Sequence, residues 1–270
     1  MPVERAHWED LPPTVRAAVE AHIGPVQHAH TVAAGVNSGI AAVLESPNGS
    51  VFLKGVPLDH PQIHTQRRET LINPYLPNTS PRILWHVEAE GWDLIGYERI
   101  SGRHADYSPG SPDLPLVAAA VRELQSTECP EIGIKLAEDR WKTYAGPAGV
   151  EQLAGTALLH TDLAPHNVLV ADRAHLIDWA WPTRGAAWID PAVLILRLME
   201  AGHSASDADA WARAQFTSWG AAPYDAVDAF SEANTHAWDE IAENDPQPWK
   251  RRMAQIAHEW LTYWHRSPAS

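Results

Sequence analysis

Residues 158–179 read LLHTDLAPHNVLVADRAHLIDW, and the organisation of the whole chain turns on them. Leu158 and Leu159, then Val168 to Val170, are apolar enough for buried strands, yet His160, Asp162, His166 and Asn167 stand between them. Ala171-Asp172-Arg173-Ala174 reads as a hairpin turn, so the chain returns antiparallel and ends on Asp178. That pairing predicts Asn167 and Asp178 side by side, where their hard oxygen donors suit Mg²⁺. Asp162, just upstream, can accept a proton from an attacking hydroxyl. One proton acceptor with two oxygen ligands is the division of labour that phosphoryl transfer requires. The plainer reading is a set of buried, hydrogen-bonded polar residues in an unrelated hairpin.

The string His160-Thr161-Asp162-Leu163-Ala164-Pro165-His166-Asn167, followed by Ile177-Asp178-Trp179, resembles the catalytic and metal loops of the aminoglycoside phosphotransferase family of kinase-like enzymes. That family carries H-G-D-x-x-x-x-N and then D-[FW]; here Thr161 replaces the glycine. The resemblance implies an α+β, two-lobed protein-kinase-like fold. Residues 1–97 would form a small N-terminal antiparallel-sheet lobe, 98–104 a hinge, and 105–270 a larger, mainly helical lobe. It also implies Asp162 as the residue that orients and deprotonates an acceptor hydroxyl, Asn167 and Asp178 as metal ligands, and ATP with Mg²⁺ as cofactors. GTP would serve as well wherever the base is read through backbone groups. His160 is expected to order the loop by hydrogen bonding, and His166 has no assigned role.

The first hundred residues read mainly as strands with one helix between them. SVFLKGV (50–56) places Lys54 inside an apolar strand, where an ammonium needs a partner to stay charged. Glu69 falls in a helix predicted from Pro61 to about Asn73, where Pro74 stops it. On the resemblance, Lys54 and Glu69 are the pair that holds the α- and β-phosphates. More plainly, Lys54 is an edge-strand lysine and Glu69 part of a solvated helix face. HTVAAGVNSGIAAVLES (30–46) reads as strand, turn and strand. The resemblance makes it the loop over the triphosphate, with Asn37, Ser38 and backbone N–H groups capping phosphate oxygens; a plain hairpin is the alternative. RILWHVEAEGWDLIGYERI (82–100) is a hairpin turning near Glu90-Gly91, and its end resembles the interlobe segment, where backbone groups of Glu98 and Ile100 would bind the adenine edge. WIDPAVLI (188–195) resembles the family's G-D-P helix start. Asp190 is read there as an N-cap before Pro191, with orientation of the catalytic loop as the other possibility.

Beyond a loop at 101–115 rich in Pro, Ser and Gly the pattern turns helical. Helices are predicted over 116–125 and 134–144 and in three long segments from Asp207 onward, the last with Met253, Ile256, Trp260 and Trp264 on one face. Residues 203–246 hold nine acidic residues against Arg213 alone, which suits a cationic acceptor if they line its pocket and otherwise marks exposed helix faces. Ala164 stands where protein kinases carry lysine, and only eleven residues separate Asp178 from Asp190, too few for a phosphorylatable activation segment. A protein substrate is therefore disfavoured. Thirteen tryptophans, ten of them after residue 140, either fill a helical core or wall a ligand.

The net charge of -14 disfavours nucleic acid, whose affinity depends on cations neutralising phosphates. No run of 18 apolar residues exists to enter a membrane, and the charged, proline-broken N-terminus lacks a signal-peptide core. Cys129 stands alone, so no internal disulfide forms and a reducing cytoplasm is the expected location. Oligomeric state stays open. The expected function is ATP-dependent transfer of a γ-phosphate to the hydroxyl of a small molecule, an aminoglycoside or other antibiotic among the acceptors. The alternatives are a metabolite kinase for an amino alcohol, choline-like alcohol, sugar or nucleoside, and a kinase-fold nucleotide-binding pseudoenzyme or regulatory module.

Overall fold

A computed structural model describes residues 5–32 and 38–267, and the chain divides into two compact units. The first runs to His104 and takes back Leu169–Ala180; the second holds Ala105–Val168 and the chain from Trp181 onward.

In the first unit, α1 (Pro13–Ile23) precedes β1 (His28–Thr31), β2 (Ile40–Ser46), β3 (Gly49–Pro57), α2 (Ile63–Ile72), β4 (Ile83–Ala89), β5 (Trp92–Glu98) and β6 (Arg103–His104). The first five strands form one antiparallel sheet in the order β1-β2-β3-β5-β4. Glu90 and Gly91 both take positive φ, +45° and +83°, the geometry that lets a two-residue turn follow the twist of β4 and β5. Two helices stand where one was expected. Pro13 at the first turn starts α1, and Val15, Val19 and Ile23 recur every fourth residue, the stripe of a helix with one buried face. That stripe joins Leu44, Val51, Leu53 and Leu94 in one core. Trp85 lies across its register partner Gly96, where any Cβ would run into the indole.

The chain continues with α3 (Leu114–Gln125), β7 (Lys135–Leu136), α4 (Ala137–Trp141), α5 (Pro147–Glu151), β8 (Ala157–Leu159), β9 (Val168–Val170), β10 (Ala174–Leu176) and β11 (Thr183–Gly185). It ends with α6 (Ile189–Glu200), α7 (Ala205–Gln215), α8 (Thr217–Gly220), α9 (Tyr224–Asn244) and α10 (Pro248–Arg266). β10, β9 and β6 make one small sheet, and β7, β11 and β8 another. The helix expected over 134–144 shrinks to α4, because Lys135 and Leu136 pair with Thr183 and Arg184 of β11 instead. α6 is buried along nearly its whole length, as its apolar sequence requires. Met253, Ile256, Trp260 and Trp264 of α10 are buried together. The rings of Trp219, Trp260 and Trp264 lie 5.7–6.0 Å apart, so these tryptophans fill the helical core. Among the described residues no helix is long and apolar enough to cross a membrane.

Candidate active site

Strand alternation in the first unit turns Lys54 away from the core side chains Val51 and Leu53, and Glu69 lies among the buried residues of α2. Lys54 Nζ donates to Glu69 Oε1 at 2.5 Å and to Asp178 Oδ1 at 2.8 Å. Tyr97 of β5 donates its hydroxyl to Glu69 Oε2 at 3.1 Å. Asp178 takes φ +61°, uncommon outside glycine, and its neighbours fix it there. The Leu176 amide donates to the Thr79 carbonyl at 2.7 Å, and Trp179 Nε1 to Ser80 Oγ at 3.1 Å. Burial works against the Lys54 cation, but Asp178 and Glu69 outweigh it and hold the ammonium above its usual range. Two carboxylates on one ammonium leave an excess negative charge. Burial therefore pushes Glu69 up to about 7, with Lys54 opposing.

This shift gives stability a pH dependence of definite sign. Folded Glu69 keeps a proton that the unfolded chain has already lost, so its contribution is complete below the ordinary value of 4.5 and is lost as pH rises through about 7. Urea unfolding across that window is expected to show the wild type losing about 3 kcal/mol relative to Glu69→Gln, which is neutral throughout. Parallel pH profiles for the two proteins would contradict this.

In the second unit β8 delivers His160, Thr161 and Asp162 to the loop. Asp190, at 0% exposure, accepts from the His160 amide through Oδ2 and from the Thr161 amide through Oδ1, both at 2.8 Å. This corrects the N-cap reading. Trp188 occupies the cap position of α6, so Asp190 lies inside the first turn and its carboxylate takes up amides beyond the end of β8. Burial raises the pKa of Asp190 against the pull of those amides and of Arg140. Thr161 has φ +63°, an outlier for a β-branched residue. Its Oγ1 lies 2.9 Å from the Trp181 carbonyl and accepts from Arg140 Nη1 at 2.5 Å. The Arg140 guanidinium in turn lies 5.0 and 5.5 Å from the rings of Trp141 and Trp181. Asp190 below and Arg140 beside it thus over-determine a conformation that threonine alone would avoid.

Within this loop the Asp162 amide donates to His160 Nδ1 at 3.3 Å, and Asn167 Nδ2 donates to the Asp162 carbonyl at 3.0 Å. Asn167 Oδ1 accepts nothing among the described residues, the disposition a hard-cation ligand needs. Asp162 has a side chain 36% exposed, with Oδ1 3.4 Å from Arg197 Nη2. Arg197 projects from buried α6, donates to Glu200 Oε2 at 3.0 Å, and lies 5.5 Å from the ring centroid of Trp238. The buried Tyr107 hydroxyl has no partner among the described residues; burial raises its pKa, Arg197 opposes, and Asp162 reinforces.

The remaining expectations fall unevenly. Ser38 is buried, and Asn37 lies outside the described residues. The Glu98 amide is engaged by the Arg82 carbonyl at 2.9 Å, while Ile100 is half-buried past the end of β5. His166 is exposed. Five of the nine acidic residues at 203–246 are held in local pairs: Asp207 with Ser204, Asp209 with Arg213, Trp219 and Tyr263, Asp228 with His265, Asp239 with His258, and Asp245 with Lys250. Sequence reasoning missed Tyr97, Arg140 and Arg197. For Arg197 the signal was a lone cation within Val193-Leu194-Ile195-Leu196-Arg197-Leu198-Met199; Arg140 stands in a charged stretch with Glu138, Asp139 and Lys142 and gave no such signal.

The fold is that of the protein-kinase-like phosphotransferases. Among solved structures, choline kinase LicA from Streptococcus pneumoniae matches with a TM-score of 0.62 at 12% identity, over 92% of this chain and 98% of its own. A thermostable mutant of aminoglycoside phosphotransferase APH(4)-Ia, in ternary complex with ADP and hygromycin B, matches with a TM-score of 0.56 at 14% identity, over 91% and 98%. Another mutant of that enzyme, with AMP-PNP and hygromycin B, gives 0.58 at 14%, over 92% and 99%. No family model and no curated protein matches the chain.

Proposed function

We propose that this chain transfers the γ-phosphate of ATP to a hydroxyl of a small molecule, with Mg²⁺. The observation that carries the reading is the partly buried Lys54 ammonium, bonded to both Glu69 and Asp178. A lysine held charged by two carboxylates suits binding of anionic phosphates. Solved proteins of the same fold hold ADP or AMP-PNP beside hygromycin B, and another is a choline kinase, which supports a nucleotide and a hydroxylated acceptor here.

On this reading Lys54 positions the α- and β-phosphates and Glu69 holds Lys54. Ser38, with Asn37, caps phosphate oxygens, and the Glu98 carbonyl with the Ile100 amide reads the adenine edge. Mg²⁺ would neutralise charge on the phosphate oxygens, and Asn167 and Asp178 are the oxygen donors proposed for it; the free Oδ1 of Asn167 fits that role. Asp162 orients the acceptor hydroxyl and takes its proton. The transition state of such transfers is loose, so alignment and charge neutralisation contribute more than base strength.

The test is nucleotide consumption from Mg-ATP and Mg-GTP over a panel of aminoglycosides, other hydroxylated antibiotics, nucleosides, sugars and amino alcohols, with the phosphate ester identified by phosphorus NMR. A new ester from at least one alcohol is the expected result. Tight nucleotide binding with no ester from any acceptor would instead identify a pseudoenzyme.

A further inference from the structure

The outer strand of the first unit's sheet carries a charge cluster that phosphate transfer leaves unused. Alternation along β4 turns Trp85, Val87 and Ala89 toward the core around α1 and puts His86 and Glu88 on the opposite face. Glu88 stands directly across from Asp93 of β5, and His86 Nε2 lies 3.1 Å from Asp93 Oδ2. One ligand atom from each of these three residues lies within 4.8 Å of the other two. Like charges directly opposite on a sheet repel, and neither carboxylate is paired with a lysine or arginine among the described residues. Asp93 is only 1% exposed, so its charge needs a close countercharge. A protonated His86 offsets one of the two negative charges; a divalent cation offsets both. The buried Gln66 amide, from α2, supplies an independent sign. Its Nε2 donates to the Asp93 carbonyl at 2.8 Å and also to Asp93 Oδ1, while its Oε1 accepts nothing among the described residues. A buried acceptor left bare beside a carboxylate suits the proton of a metal-bound water.

We propose that His86, Glu88 and Asp93 bind one Zn²⁺ ion through one atom each, with water as the fourth ligand, and that the ion braces α2 against β5. Zinc bonds of about 2.0–2.1 Å at tetrahedral angles place two ligand atoms about 3.3 Å apart. The 3.1 Å between His86 Nε2 and Asp93 Oδ2 already meets that spacing. An imidazole nitrogen beside carboxylate oxygens selects zinc over Mg²⁺, which takes oxygen ligands. His86 and Glu88 are exposed, which gives the ion its way in, and the buried Asp93 carries its effect inward. Gln66, bonded to Asp93, stands one turn before Glu69 on α2, and Tyr97 of β5 holds Glu69 in the same manner.

The test is calorimetric titration of the full chain with zinc, in the absence of nucleotide, on wild type, His86→Ala, Glu88→Gln and His265→Ala. His86 and Glu88 are exposed residues of an edge strand, so their variants are expected to fold, which circular dichroism checks. His265 belongs to a second group, with Asp228 and Glu232 on α9, none of them buried, and its variant separates the proposed site from adventitious surface binding. Wild type and His265→Ala are expected to bind zinc alike, and His86→Ala and Glu88→Gln at least about tenfold more weakly. Zinc should raise the urea midpoint of wild type and slow amide exchange over residues 63–72, and should do neither in His86→Ala. None of these readouts depends on phosphate transfer. Absence of saturable binding, unchanged affinity in a folded His86→Ala, or bound zinc that leaves exchange in α2 unaltered overturns the inference; in the first case His86 and Asp93 form an ion pair and nothing more.

Discussion

Replacing Asp162 by alanine is expected to lower kcat for phosphate transfer by about 10²- to 10⁴-fold, the range a positioned proton acceptor contributes. KM for nucleotide should change less than about threefold, because Lys54, the proposed phosphate anchor, is held by Glu69 and Asp178. The fall cannot be put down to unfolding. The Asp162 carboxylate is partly exposed, and its ion partner Arg197 keeps the closer Glu200 at 3.0 Å, so the substitution leaves no buried charge unpaired. Asp162→Asn sharpens the comparison: it preserves volume and the backbone bonds to His160 and Asn167 while removing the proton acceptor. Both variants should be equally inactive and nearly as stable as wild type in urea titration. An alanine variant that turns over like wild type would remove Asp162 from the mechanism.

The parts of the site that were legible beforehand are those whose chemistry restricts residue type over a short stretch. Asp162, Asn167 and Asp178 fall within one strand-loop-strand segment, and Lys54 with Glu69 within a strand and the helix after it, so local pattern was enough to nominate them. What escaped was long-range or written in ordinary residues. Asp190 precedes a proline at a helix start, and that local signal favours a cap; its actual partners are thirty and twenty-nine residues away. Arg197 sits in a run of apolar residues, where a single cation looks like an interruption until Glu200, Asp162 and Trp238 are seen around it. The acidic excess after residue 203 suggested a ligand pocket because pairing between helices, such as Asp228 with His265 and Asp239 with His258, leaves no trace in composition. α1 could have been found from Val15, Val19 and Ile23, whose four-residue spacing was overlooked in a region read for strands.

Asp190 gives the second large expected effect, and its size follows from which reading of the residue is right. As an N-cap it would be worth about 1 kcal/mol, and serine, an equally good cap, would replace it without loss. As the clamp of the loop it satisfies two buried amides at 2.8 Å. Each amide left without an acceptor costs about 1–3 kcal/mol, so Asp190→Ala should lose about 2–6 kcal/mol, a large share of the 5–15 kcal/mol typical of a folded protein. Asp190→Ser should fare little better, because one short hydroxyl cannot bridge two amides held by separate carboxylate oxygens. Asp190→Asn retains one acceptor oxygen and turns an NH2 toward the other amide, which places it between wild type and alanine in stability. It should also lower kcat, since Thr161 at φ +63° is held by the same carboxylate and Asp162 follows it directly. Urea midpoints for the three variants decide the matter: a serine variant as stable as wild type would restore the N-cap reading, whereas the order wild type, Asn, then Ser and Ala together is the signature of a carboxylate that fixes the loop from beneath.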